Sequence, residues 1–106
     1  FTKVDNETTY TLKRVNLSDG NVTTVKKGFA INHIDAAEFY YDPDTKIERF
    51  YVVDKHGPNK EGSIFYEIDP ASNWSISSSK PIVDSEGVSK KIGALAVDPY
   101  SGELYG

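Results

Sequence analysis

The chain has 106 residues, a net charge of −4, 38% hydrophobic residues and no cysteine. That length supports one small domain with a modest core, and without cysteine there are no disulfides, zinc–thiolate centres or thiol nucleophiles. Acidic and basic residues alternate instead of clustering, which argues against a nucleic-acid groove, and the longest apolar run, residues 92–97, is far short of the ~20 needed to cross a bilayer.

Strand signals dominate the chain from end to end. Apolar and polar residues alternate over 10–17 and again over 64–68, and short β-branched or aromatic runs mark 22–25, 39–41, 50–53 and 95–97. Turn chemistry separates them: Ser18-Asp19-Gly20-Asn21, Asp42-Pro43-Asp44, His56-Gly57-Pro58-Asn59, Asp69-Pro70, and Asp98-Pro99-Tyr100-Ser101-Gly102. Proline fixes φ after each Asp, and Gly or Asn accepts the left-handed position that closes a hairpin. One segment, residues 31–38, carries helix-tolerant residues (Ala36, Ala37, Glu38) and a possible cap at Asn32. It is too short to hold a helix and reads as a loop or single turn leading into a strand.

These elements come in the same order twice. Residues 10–23, then Ala36-Ala37-Glu38-Phe39-Tyr40-Tyr41-Asp42-Pro43, then Phe50-Tyr51 are answered by residues 64–75, then Ile92-Gly93-Ala94-Leu95-Ala96-Val97-Asp98-Pro99, then Leu104-Tyr105. The Asp-Pro pairs at 42 and 98 are 56 residues apart, Tyr51 and Tyr105 are 54 apart, and Val15 and Ile68 are 53 apart. The small differences fall in turns, where insertions are tolerated. Each copy, 1–54 and 55–106, therefore holds about four short strands. A single sheet of that size leaves an apolar face bare, and stacking on a neighbouring sheet covers it.

The stretch from Ile92 to Gly106 resembles the inner-strand, turn and next-strand segment of extracellular β-propeller repeats, and residues 14–23 resemble their outer hairpin. The resemblance is to the broad group of NHL-type, low-density-lipoprotein-receptor-type and bacterial surface propellers. It implies an all-β fold of two tandem four-stranded antiparallel units of propeller type, with a β-sandwich of about seven strands as the alternative. Because a closed ring takes about four to eight blades, the two units are expected to belong to a larger chain or assembly, with the remaining blades as partners.

Four asparagines stand in Asn-x-Ser/Thr triplets: Asn6, Asn16, Asn21 and Asn73. Such triplets accept glycans in a secretory pathway, so an extracellular or cell-surface location is expected. Asp42, Asp44 and Glu48 space their oxygens as candidate calcium ligands, although the EF-hand pattern is not met, and Asp54, Asn59 and Glu61 form a weaker second set. No other cofactor is expected. Most aromatic residues alternate within strands and read as core; Trp74, inside the Asn73-Trp74-Ser75 triplet, is the exception. Trp74, His56 and Asn59 are the candidate ligand contacts, on turns and on the long loop 55–62, where a scaffold places its binding residues.

No nucleophile elbow, phosphate loop or dinucleotide fingerprint occurs. The sequence thus favours a non-catalytic extracellular binding or adhesion module that offers loops to a protein or glycan partner. The alternative is a fragment of a propeller enzyme, a hydrolase or lyase, in which His33 or Glu38 would face a channel completed by other blades. His33, Asp35 and Glu38 lie close enough in sequence to supply metal ligands or an acid–base pair, though a polar loop explains them more simply.

Overall fold

The computed structural model of the chain describes residues 1–4, 8–56 and 62–106. Among the described residues, eight strands follow one another: β1 (Tyr10–Val15), β2 (Val22–Phe29), β3 (Ile34–Tyr41), β4 (Glu48–Asp54), β5 (Ile64–Asp69), β6 (Ser75–Pro81), β7 (Ala96–Val97) and β8 (Leu104–Tyr105), with a single 3₁₀ turn at Pro70–Ser72. β1–β2 and β7–β8 are two-stranded sheets, and β3-β4-β5-β6 is a four-stranded meander in sequence order. Every strand pair is antiparallel. The protein is all-β, and no sheet among the described residues closes into a barrel.

The chain forms two compact units, Phe1–Asn32 and His33–Gly106. The line between the two sequence copies, at 54/55, runs between β4 and β5, which are hydrogen-bonded neighbours. A sequence period carries no information about which strand begins a sheet, so the period and the compact units are offset.

Three hairpins, β1–β2, β3–β4 and β7–β8, turn on one recurring corner of six residues, at 16–21, 42–47 and 98–103. The N–H of the first residue donates to the carbonyl of the sixth, at 2.8 Å for Asn16, 2.9 Å for Asp42 and 2.9 Å for Asp98. The N–H of the fifth donates back to the carbonyl of the first, at 2.7, 2.7 and 2.8 Å. The side-chain oxygen of the first residue accepts the N–H of the third, from Ser18 at 2.9 Å, Asp44 at 2.9 Å and Tyr100 at 2.8 Å. A short Asn or Asp side chain satisfies backbone donors that the tight turn would otherwise leave unpaired. The fifth residue is left-handed each time: Gly20 at φ +73°, Lys46 at +57° and Gly102 at +75°.

In the first unit the β1–β2 hairpin buries Leu12, Phe29 and Ile31. The ring of Phe1 stands edge-on to Tyr10 and Phe29, with centroids 6.2 and 5.5 Å apart, and Thr2 bridges to Thr11. In the second unit the core lies on β4. Phe50, Tyr51, Val52, Val53 and Asp54 are all buried, as befits an inner strand that reads as one continuous apolar run. Ile68 on β5 is fully buried opposite Phe50. The β7–β8 corner packs on β3 so closely that a Cβ added to Gly102 would lie 3.0 Å from the Tyr40 ring.

Two sequence expectations are corrected, and one strand went unread. Residues 34–38 belong to β3, not to a loop or turn: they pair with β4 and alternate in exposure along the strand, so sheet pairing overrides the helix tolerance of Ala36 and Ala37. β6, Ser-Ile-Ser-Ser-Ser-Lys-Pro, carried no strand signal, because its polar residues cannot mark a buried face; it is held by its ladder to β5. Tyr105 is not the positional equivalent of Tyr51. Measured from the shared corner, Tyr105 pairs with Ala96 as Arg49 pairs with Tyr40, which sets Tyr105 two residues earlier in the strand.

Gly102→Ala should destabilise the protein by about 1–2 kcal/mol from the left-handed backbone alone, and by more where the added carbon meets Tyr40. Lys46→Gly, at the same corner position, should stabilise it by up to about 1 kcal/mol. Ile68→Ala should cost about 2–5 kcal/mol, while Leu17→Ala, at a side chain 97% exposed, should stay within about 0.5 kcal/mol. Urea titration of the four variants reads all of these.

Candidate functional site

The register of the four-stranded sheet lines up Phe39, Phe50, Ile68 and Ile76, one from each strand. The row is an apolar stripe across the sheet whose middle is buried and whose ends are open: Phe39 is 44% exposed and Ile76 40%. Trp74, immediately before β6, stands edge-on to both Phe39 and Phe50, with ring centroids 5.8 and 5.9 Å apart. Edge-to-face contacts of this kind fix a ring beyond what area burial alone would do. Asn73 and Trp74 are consecutive left-handed residues, at φ +56° and +58°, and this pair of uncommon conformations swings the indole back over the sheet.

Beside the indole runs a groove of about 390 Å³, a size suited to a small ligand or one or two residues of a larger one. Tyr41, Ile47, Pro70 and Trp74 give it apolar walls, and Lys46, Glu48 and Asp69 supply charge. Asp69 is already engaged, accepting from the Ala71 N–H at 2.9 Å and the Ser72 hydroxyl at 2.8 Å. Among the described residues, no hydrogen bond or ion pair engages the side chains of Lys46 and Glu48.

A second constellation lies at the opposite end of β4. Asp54 is only 1% exposed. Its Oδ1 accepts the backbone N–H of His33 at 3.1 Å and of His56 at 3.0 Å, and the Lys55 N–H donates to the His33 carbonyl at 2.9 Å. A carboxylate removed from water is costly unless charge-assisted hydrogen bonds compensate it, and here those bonds tie the segments before β3 and after β4 together. The imidazoles of His33 and His56 are brought to a centroid separation of 5.7 Å. Asp35 Oδ1 lies 3.9 Å from His33 Nε2. His56, read from sequence as a candidate ligand contact on the 55–62 loop, is half-buried, and its Nδ1 is buried with no hydrogen-bond partner among the described residues. Glu38 pairs across from Tyr51 in the middle of the sheet, several rungs from the Ile34–Asp54 pair beside His33, so the structure does not bring His33 and Glu38 together on one rung.

Of the candidate calcium ligands, Asp42 spends Oδ1 on the N–H groups of Asp44 and Thr45, at 2.9 and 3.2 Å. Asp44 is exposed in the same corner, and Glu48 opens β4 at the groove. Among the described residues, no three His, Asp or Glu side chains converge to hold a metal ion. Of the glycosylation triplets, Asn16 and Asn21 lie at the two ends of an exposed corner; Asn16 Oδ1 accepts from Ser18, and Asn21 Nδ2 donates to Asp19 at 3.0 Å. Asn73 is exposed beside the groove. Asn6, Asn59 and Glu61 lie outside the described residues. Sequence reading missed the platform beneath Trp74, which depends on register. It also missed Asp54 as an organiser of the histidines, for which the available signal was an acid continuing the apolar run Tyr51-Val52-Val53.

The fold and these sites define an antiparallel all-β protein with an aromatic groove and a histidine pair. Neither a family model, a curated protein nor a solved structure matches the chain.

The corner carboxylates titrate below their ordinary range. The Thr45 hydroxyl, followed by the N–H groups of Thr45 and Asp44, holds Asp42 down, and the N–H groups of Tyr100 and Ser101 do the same for Asp98. Asp84 is lowered by the N–H of Val88 and by Lys90, whose Nζ is 3.1 Å from Oδ2. A carboxylate depressed in the folded state adds stability that is present above its unfolded pKa, near 3.9, and is lost as pH falls through the lower folded value. Melting temperature should therefore fall below about pH 4. In Asp42→Asn/Asp98→Asn, which keeps the accepting oxygen but cannot titrate, the fall should be shallower while stability at pH 7 changes little.

Proposed function

We propose that this chain is a run of β-propeller-type blades from a non-catalytic extracellular binding module, offering a groove and loops to a protein or glycan partner. The observation that carries the architecture is the recurrence of one corner in one strand order. The β1–β2 corner begins at Asn16 and the β5–β6 connection at Asp69, 53 residues on, where the side-chain oxygen again accepts from the third residue and the fifth, Asn73, is again left-handed. The β3–β4 and β7–β8 corners begin at Asp42 and Asp98 and share the same hydrogen bonds. On this reading β1–β2 is the outer half of one blade, β3-β4-β5-β6 a whole blade, and β7–β8 the inner half of the next. An up-and-down order of four antiparallel strands is what such a blade requires.

The binding role rests on Trp74. Its ring is held by two aromatic contacts, and it stands in a groove with an adjacent carboxylate and ammonium. Rigid aromatic anchors of this kind dominate recognition surfaces. Four glycan-acceptor triplets support the extracellular assignment. The chain should bind members of a saccharide array or a panel of extracellular proteins, and Trp74→Ala should weaken that binding about tenfold or more without unfolding the sheet. Binding that is indifferent to both Trp74→Ala and Tyr41→Ala would remove the groove from the proposal.

A further inference from the structure

We propose that His33 and His56 form a two-histidine site for a borderline divalent ion such as Zn²⁺, Ni²⁺ or Cu²⁺, with Asp35 as an added oxygen ligand and water in the remaining positions. The pair is built, not incidental. A buried carboxylate, Asp54, holds the backbone N–H of both histidines on one oxygen, and the Lys55 N–H closes the same junction on the His33 carbonyl. Two imidazoles bound tetrahedrally to one zinc ion, at about 2.0–2.1 Å from each nitrogen, have ring centroids about 5 Å apart. Here they are 5.7 Å apart and inclined by 56°, which leaves a small side-chain adjustment to make.

The donor set fits the chemistry. His56 Nδ1 is buried without a hydrogen-bond partner among the described residues, the condition of a nitrogen lone pair that a metal would satisfy. Asp35 Oδ1, 3.9 Å from His33 Nε2, can turn inward as a third ligand when an ion is bound. No three carboxylate or imidazole groups converge as they stand, so the two ring nitrogens carry the affinity. Imidazole selects zinc, nickel and copper, whereas calcium and magnesium require oxygen-rich cages. The site is separate from the Trp74 groove and does not depend on the binding role proposed for it.

The chain has two histidines and no cysteine, which makes the test direct. In calorimetric titration, the untagged chain should bind one Zn²⁺, Ni²⁺ or Cu²⁺, with Cu²⁺ tightest and no competition from Ca²⁺. Affinity should fall on acidification, because protons compete for the ring nitrogens. His33→Ala and His56→Ala should each weaken binding at least about tenfold, and Trp74→Ala should leave it unchanged. In the unaltered chain, Zn²⁺ should protect both imidazoles from diethyl pyrocarbonate, a readout that does not require any variant to fold. Absence of saturable binding up to about millimolar ion, binding retained in the double histidine variant, equal competition by Ca²⁺, or failure of Zn²⁺ to protect either ring would each overturn the site.

Discussion

The β1–β2, β3–β4 and β7–β8 corners each depend on a short side chain taking over the work of a missing backbone partner. Asn16, Asp42 and Asp98 each present one oxygen to the N–H two residues ahead, and the following left-handed residue turns the chain back into the ladder. Because the side-chain period of a strand is two, the corner also determines which residues face which side of the sheet. With the 42–47 corner in place, Phe39 meets Phe50 and Tyr40 meets Arg49. One more residue in the turn would exchange the two faces and dismantle both the buried row and the aromatic platform.

That dependence explains what could be read from sequence. Corner chemistry is local: an opening Asn or Asp, followed by Pro43 or Pro99 in two corners and by Gly20 or Gly102 four positions on in two, announces itself within six residues, so the turns and most strands were legible. The strands that were not legible owe their conformation to partners distant in sequence. β3 begins with residues that tolerate a helix, and only its ladder to β4 makes it extended. Four of the seven residues of β6 are serine, and its ladder to β5 holds it extended. The equivalence assumed for Tyr51 and Tyr105 fails for the same reason, since a shared letter near a shared turn does not establish register.

The two functional candidates differ in legibility in the same way. Trp74 drew notice as a lone indole within a polar triplet, but the two phenylalanine rings that orient it come from β3 and β4 and are brought beside it by pairing alone. His33 and His56 were visible as separate polar loop residues. Their proximity is the product of Asp54, which from sequence stood only in a weaker set of candidate calcium ligands. Both sites lie where β4 meets its neighbours, one at each end of the strand that is most completely buried.

β6 has a further consequence. Among the described residues it is the last strand of its sheet, with β5 on one side and no paired strand on the other. An unpaired ladder of this length would invite another extended chain to join it. The segment ends in Lys80 and Pro81 and exposes Ser77 and Ser79: a desolvation-averse ammonium, a residue with no N–H to donate, and hydroxyls that keep water at the margin. The polarity that hid this strand from sequence reading also equips it to end the sheet without templating an aggregate.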